Sequence, residues 1–321
     1  MNMGKMHNSF WRNTIILAVL FTVIQLLIST GLMDQHLQLN LFLLCINIIL
    51  AVSLNLITGF TGQFSLGHAG FMAIGAYISA VMTLKLNLPF PLAIVTSAIA
   101  AAIVGILVGI PTLRLRGDYL AIATLGLSEI IRIIALNIDY IGGASGLADI
   151  PRYVNWPWIF AMTVATVIII YNFIHSSYGR ACIAIREDDI AAEAVGINIT
   201  RYKILAFTIG AFFAGIAGSL YANYFYFLKP NAFGFMKSID ILVMVVFGGL
   251  GSITGSIVGA AALTLLSMAL QDLPTIRMIL YAILLLAIML YRPQGLLGNA
   301  EISWKLLKKR GDKDATTINR K

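Results

Sequence analysis

Glu129 and Arg132 stand three residues apart inside an apolar run, so on a helix they share one face and can partly neutralise each other. Within lipid such a pair is either a structural bond to a neighbouring helix or a step in a proton or substrate relay, and spacing leaves both open. A second group of polar side chains runs from Thr58 to Gly70, where Gln63, Ser65 and His68 are set among glycines; Asn47 and Asn55 precede it in an apolar run. That stretch is too rich in glycine and polar groups for a lipid-facing helix. It reads either as a broken segment lining a translocation path, with Asn55, Gln63, Ser65, His68 and Glu129 as path residues, or as a tight turn that lets helices pack closely. It has no Gly-Lys-Ser/Thr, which argues against a phosphate loop. A third group, Glu187-Asp188-Asp189, could suggest a metal site, but three consecutive side chains on a helix fan apart and better suit the first turn of a short helix. The sequence offers no Cys/His cluster, no catalytic serine motif and no paired carboxylates at the end of an apolar run, so no catalytic or metal residue is expected and enzyme is the weaker class.

The elements that hold these groups are membrane helices. Of 321 residues, 59% are hydrophobic and only 11% charged, a composition no soluble domain can bury. Apolar runs at about 14–33, 39–58, 66–84, 89–110, 119–138, 157–175, 203–228, 239–251, 255–270 and 275–291 predict about ten transmembrane helices in an all-α polytopic protein. Lys5 and Arg12 precede the first run, which is long for a signal peptide and has no Ala-x-Ala site after it, so a retained helix is expected. The net charge of +8 reads as topology and not as nucleic-acid affinity. Basic residues concentrate at the N-terminus, at Arg114 and Arg116, at Arg180, Arg186, Arg201 and Lys203, and after Arg292, with poorer loops between. Both termini and the 176–202 loop are therefore expected in the cytoplasm: residues 1–13 as an N-terminal segment, 14–297 as the transmembrane domain, and 298–321 as a tail whose Lys305, Lys308, Lys309 and Arg310 form an anchor. Cys45 and Cys182 suggest no disulfide, and the loop thiol looks usable as a label for sidedness.

The loop 176–202 is the polar island of the chain. Gly179 to Arg186 is basic, and Glu187 to Val195 predicts a short amphipathic helix with Ile190, Ala191, Ala194 and Val195 along one side and Gly196 as its stop. A helix of about 10 residues is not stable on propensity alone, so it must dock against something. A related glycine-rich break, Phe247 to Ser256, follows a later run, and the two breaks raise the possibility of an internal repeat.

Gly179 to Asn198 with Tyr202 to Phe207, together with Leu54 to Ala69, Arg114 to Leu125, Phe247 to Ser252 and Tyr291 to Leu297, resemble the branched-chain amino-acid ABC transporter permeases of the LivM type. The resemblance runs in order from about Asn47 to Leu297, and departs at Ala144-Ser145, where many relatives have Pro-Asn. It implies the architecture of an ABC importer permease in the bacterial inner membrane, with a homologous permease, two cytoplasmic ATPase subunits and a periplasmic substrate-binding protein as partners. No cofactor is implied for this chain, ATP being bound by the ATPase subunits. Arg180, Arg186, Glu187, Glu193, Ala194 and Gly196 would then couple the chain to the ATPase. The implied cargo is leucine, isoleucine and valine. Other amino acids, urea or short amides are the nearest alternatives, and a stand-alone secondary transporter or channel is a more distant one.

Overall fold

A computed structural model describes residues 17–31, 33–112, 115, 117–271, 273–291 and 295. The basic residues Lys5, Arg12, Arg114, Arg116 and Arg292, and the tail from Lys305 to Arg310, lie outside the described residues. The fold is helical: α1 Leu17–Ser29, α2 Gln35–Thr58, α3 His68–Ala80 continued by a π-turn Val81–Lys85, α4 Phe90–Thr112, α5 Asp118–Asn137 and α6 Trp156–His175. After these come α7 Ser177–Glu187, α8 Asp189–Ala194, α9 Ile199–Phe225, α10 Phe235–Gly248, α11 Ile253–Ala269 and α12 Pro274–Tyr291. Helix is the expected solution because a lipid-buried backbone must satisfy its own hydrogen bonds.

Six helical segments among the described residues are long and apolar enough to cross a membrane: α2, α4, α5, α6, α9 and Pro230–Gly248, which includes α10. The chain is thus a multi-pass membrane protein by its helices. The other four expected runs fall on α1, α3 with its π-turn, α11 and α12, which are not among the six. The glycine break explains one shortening: α3 starts only at His68, after an irregular stretch that includes Gly62 at φ +68°, so its α-helical part is 13 residues long.

Helix α9 is the axis of the bundle, with α2, α3 and α4 packed around it. Small residues permit these contacts. A Cβ placed on Gly75 would lie 2.2 Å from the Gly215 carbonyl oxygen, and one on Gly218 would lie 2.0 Å from the Met72 carbonyl oxygen. Backbone meets backbone there, the arrangement that small residues allow where lipid supplies no hydrophobic drive between helices.

The connections sort to two ends. At one end Leu147 and Leu228 exchange backbone hydrogen bonds of 2.9 Å, Lys85 lies 4.8 Å from the Tyr140 ring centre, and Arg132 donates to Asn231 at 3.0 Å. At the other end both glycine breaks and the α7–α8 loop come together, as described next.

Candidate functional site

The 176–202 loop is two helices with a sharp elbow: the short helix expected over Glu187 to Val195 is present as α8, Asp189–Ala194, and the basic stretch before it forms a second helix, α7, that was not expected. Ser176 caps α7, accepting from the Gly179 amide at 3.3 Å, and Glu187 closes that helix. Asp188 turns the chain with an extended backbone (φ −156°, ψ 111°), and its Oδ1 accepts from the amides of Ile190 at 2.9 Å and Ala191 at 3.0 Å. The acidic triplet is therefore a helix end, a cap and a first-turn residue in succession, with the cap and the first-turn acid placed where the N-terminal dipole favours them. Gly196 stops α8 at φ +85°, a conformation suited to glycine, and Asn198 caps α9 through the Arg201 amide at 3.0 Å.

The six-residue α8 turns its apolar side outward. Ile190 is 72% exposed and Val195 77%, and Ala191, Glu193 and Ala194 are exposed as well, while Ala192 faces inward. Arg180 is exposed and donates to the His175 carbonyl at 3.3 Å, closing the C-terminus of α6. Cys182 is fully buried, and burial pushes its thiol up to about 11. Near neutral pH it is thus both covered and protonated, which removes it as a reporter of sidedness.

Arg186 ties the elbow to the bundle. Its Nη1 donates to the Gly59 carbonyl at 2.8 Å, and its guanidinium also pairs with Glu187. Gly59 lies against Asn55, whose Oδ1 accepts from the Gly251 amide at 2.9 Å and whose Nδ2 donates to the Ser252 carbonyl at 2.9 Å. Ser252 in turn caps α11 through the Gly255 amide at 3.0 Å. A continuous chain of contacts runs from α7 through the first glycine break to the second. Gln63 adds a parallel link, donating to the Lys203 carbonyl at 3.2 Å and to the Thr61 hydroxyl at 3.0 Å. A cleft of about 370 Å³ opens between this break and the elbow, lined among others by Gln63, Arg186, Asp188 and Lys203.

The residues expected along a translocation path come from the first break, the helix ends beside it and α5. Asn55, Gln63, Ser65 and His68 are all buried around the first break. His68 Nε2 lies 2.8 Å from the Ser53 hydroxyl, and Ser65 Oγ accepts from the Gly67 amide at 3.4 Å. Glu129 stands on α5, the helix that meets this break through Thr124 and Ser128. Its Oε2 binds Arg132 Nε at 2.7 Å and its Oε1 accepts from the Phe235 amide at 3.1 Å, so it caps α10 while Arg132 holds Asn231. This geometry is a brace between α5 and α10. Sequence reasoning missed Ser252, whose place before Gly255 in the second break carries an N-cap signature, and Asn231 and the Lys203 carbonyl, which no sequence signal marks.

A family profile described as "Branched-chain amino acid transport system / permease component" matches residues 38–289. The chain belongs to this permease family. Among its relatives, the permease is 36% identical over 296 residues to the high-affinity branched-chain amino acid transport system permease protein LivM of Salmonella typhimurium, covering 81% of this chain and 70% of that one. The probable LivM of Methanocaldococcus jannaschii is 29% identical over 245 residues, covering 68% and 71%. The permease also matches LivH of Escherichia coli K12 at 28% identity over 290 residues, covering 79% of this chain and 92% of that one. All of these are named as transport permeases, and the family description makes this chain a membrane transport permease component.

Proposed function

We propose that this permease is the membrane-spanning subunit of an ATP-driven importer for leucine, isoleucine and valine, working with a homologous permease, two cytoplasmic ATPase subunits and a periplasmic substrate-binding protein in a bacterial inner membrane. Both termini and the α7–α8 elbow face the cytoplasm. The observation that carries this reading is the elbow itself: α8 offers exposed Ile190 and Val195 outward, while Arg186 fastens its base to the Gly59 carbonyl at 2.8 Å. A helix of six residues does not hold its shape alone, and its outward apolar face suits a partner surface. The names of the relatives support the cargo class.

Mechanistically, the elbow is a lever. ATP binding would move the ATPase surface against α8, and the short rigid path through Asp188, Arg186 and Gly59 would carry that displacement to both glycine breaks. The breaks are the natural places for helices to change angle, because their backbone is already irregular. ATP biases one state and loaded binding protein the other, the requirement for a driven two-state element.

Glu193→Arg and Gly196→Arg test the coupling assignment in the complete complex reconstituted in proteoliposomes. Glu193 is exposed, and the space around Gly196 is open, so both variants should insert and assemble. Arginine at position 196 must also adopt a positive φ, which strains the exit from α8 by about 1 kcal/mol or more. Uptake should fall by about tenfold or more, with substrate-stimulated ATP hydrolysis lost while basal hydrolysis persists. Unchanged substrate-stimulated hydrolysis would sink the assignment.

A further inference from the structure

A polar cavity of about 180 Å³ lies between α2, α10, α11 and α12, away from the elbow. At about 30 Å³ per water molecule it has room for roughly six waters, a small-solute volume well below the roughly 300 Å³ of drug-sized pockets. Its lining combines a cation, an anion, neutral hydrogen-bonding groups and apolar side chains: Lys237 and Asp240 from α10, Asn47 from α2, Thr264 from α11, and Leu43 and Met244.

The placement of Lys237 argues for a role beyond folding. It lies in the first turn of α10, beginning at Phe235, where the helix dipole disfavours a positive charge. Asp240 follows three residues later, so the two charges share a helix face. The cavity wall is organised: Lys237 Nζ donates to Asn47 Oδ1 at 3.2 Å, and Asn47 Nδ2 donates to the Thr264 hydroxyl at 3.0 Å. Asn47 is buried and spends both ends of its amide on this arrangement. Lys237 and Asp240 make other polar contacts too, so the charges are held by the protein and not left adrift. Ionisable groups inside a membrane bundle are costly and mark solute paths by default.

We propose that this cavity is a transient subsite for a zwitterionic amino acid with an aliphatic side chain. The Lys237 ammonium faces the α-carboxylate, the Asp240 carboxylate faces the α-ammonium, and Leu43 and Met244 take the side chain. The inference rests on the importer reading above, and on that reading the subsite lies at the end opposite the ATPase, where cargo enters from the binding protein. A single cation or anion would match only half of the site; a zwitterion matches both.

The test uses the complete reconstituted complex carrying Ser267→Cys, a half-buried position on the cavity wall, alkylated by a small maleimide without ATP. The natural cysteines are buried, and the complex lacking Ser267→Cys gives the background. Saturating leucine at ten times its dissociation constant should slow alkylation roughly tenfold. Leucinamide, which lacks the carboxylate, should not. Adding Lys237→Met should abolish protection by leucine while alkylation itself continues, a result that a purely structural lysine would not give. Equal alkylation with and without leucine, in a complex that still imports leucine, overturns the subsite and leaves the importer reading standing. Absence of alkylation likewise overturns it, because a closed cavity admits no cargo. Protection by leucine in a complex that imports none keeps the subsite and removes the importer reading, and the loss of both protection and import overturns both.

Discussion

Arg186→Ala should reduce leucine import per ATP hydrolysed by about tenfold or more while the complex stays assembled. The guanidinium is the hydrogen-bonded link from the elbow to the Gly59 carbonyl, at 2.8 Å, and its charged partner Glu187 belongs to the same helix end. A hydrogen bond to a charged group contributes about 1.5–3 kcal/mol, and 1.4 kcal/mol is a factor of ten in an equilibrium. Losing that link lets α8 move with its partner without dragging the first break along. Arg186→Lys should recover only part of the coupling, since one ammonium cannot reproduce a fork that reaches Gly59 and Glu187 together. Uptake and hydrolysis measured in the same proteoliposomes give the ratio directly. Wild-type stoichiometry in Arg186→Ala would mean that the force travels by another route.

The second large effect is expected at Asn55. Its side chain is fully buried and bridges positions 196 and 197 residues away in sequence, binding the Gly251 amide and the Ser252 carbonyl. Asn55→Leu leaves the half-buried Gly251 amide without its partner, at about 1–3 kcal/mol, while the Ser252 carbonyl keeps only the Ser256 amide at 3.0 Å and the Ser256 hydroxyl at 3.1 Å. The branched side chain also presses on Gly59, whose backbone already approaches Asn55 closely. The variant should therefore lose thermal stability in detergent and assemble poorly. Asn55→Asp should be intermediate, because its carboxylate still accepts from the Gly251 amide but no longer donates to Ser252. Unchanged thermal unfolding of Asn55→Leu would show that the two breaks are not braced through this residue.

These two residues also show what the sequence makes legible. Arg186 by itself reads only as a basic residue of the polar loop, and the family resemblance alone suggests a coupling role for it. Its partner is not legible, since a backbone carbonyl carries no sequence signature. Asn55 reads as a path residue from its polarity in an apolar run; the structure spends that polarity on the second glycine break. Glu129 shares this ambiguity, and its carboxylate caps α10 beyond the reach of any local pattern. Asp188 and its neighbours look equivalent in sequence, and only the turn of the backbone at Asp188 selects the cap. The helices themselves were mostly readable, because apolar run length reflects membrane thickness directly. Span number was harder to read, since glycine breaks and π-turns split a continuous apolar run without changing its composition.

The central claim is that the α7–α8 elbow meets an ATPase on the cytoplasmic side. Val195→Cys tests it most directly: position 195 is 77% exposed, and the natural Cys45 and Cys182 are buried. In the assembled complex a short bifunctional maleimide should join position 195 to the ATPase subunit, and adding ATP should change the yield. In intact cells an impermeant maleimide should leave the same cysteine unlabelled. Labelling from outside the cell, or an assembled complex that gives no adduct with the ATPase, would contradict the account.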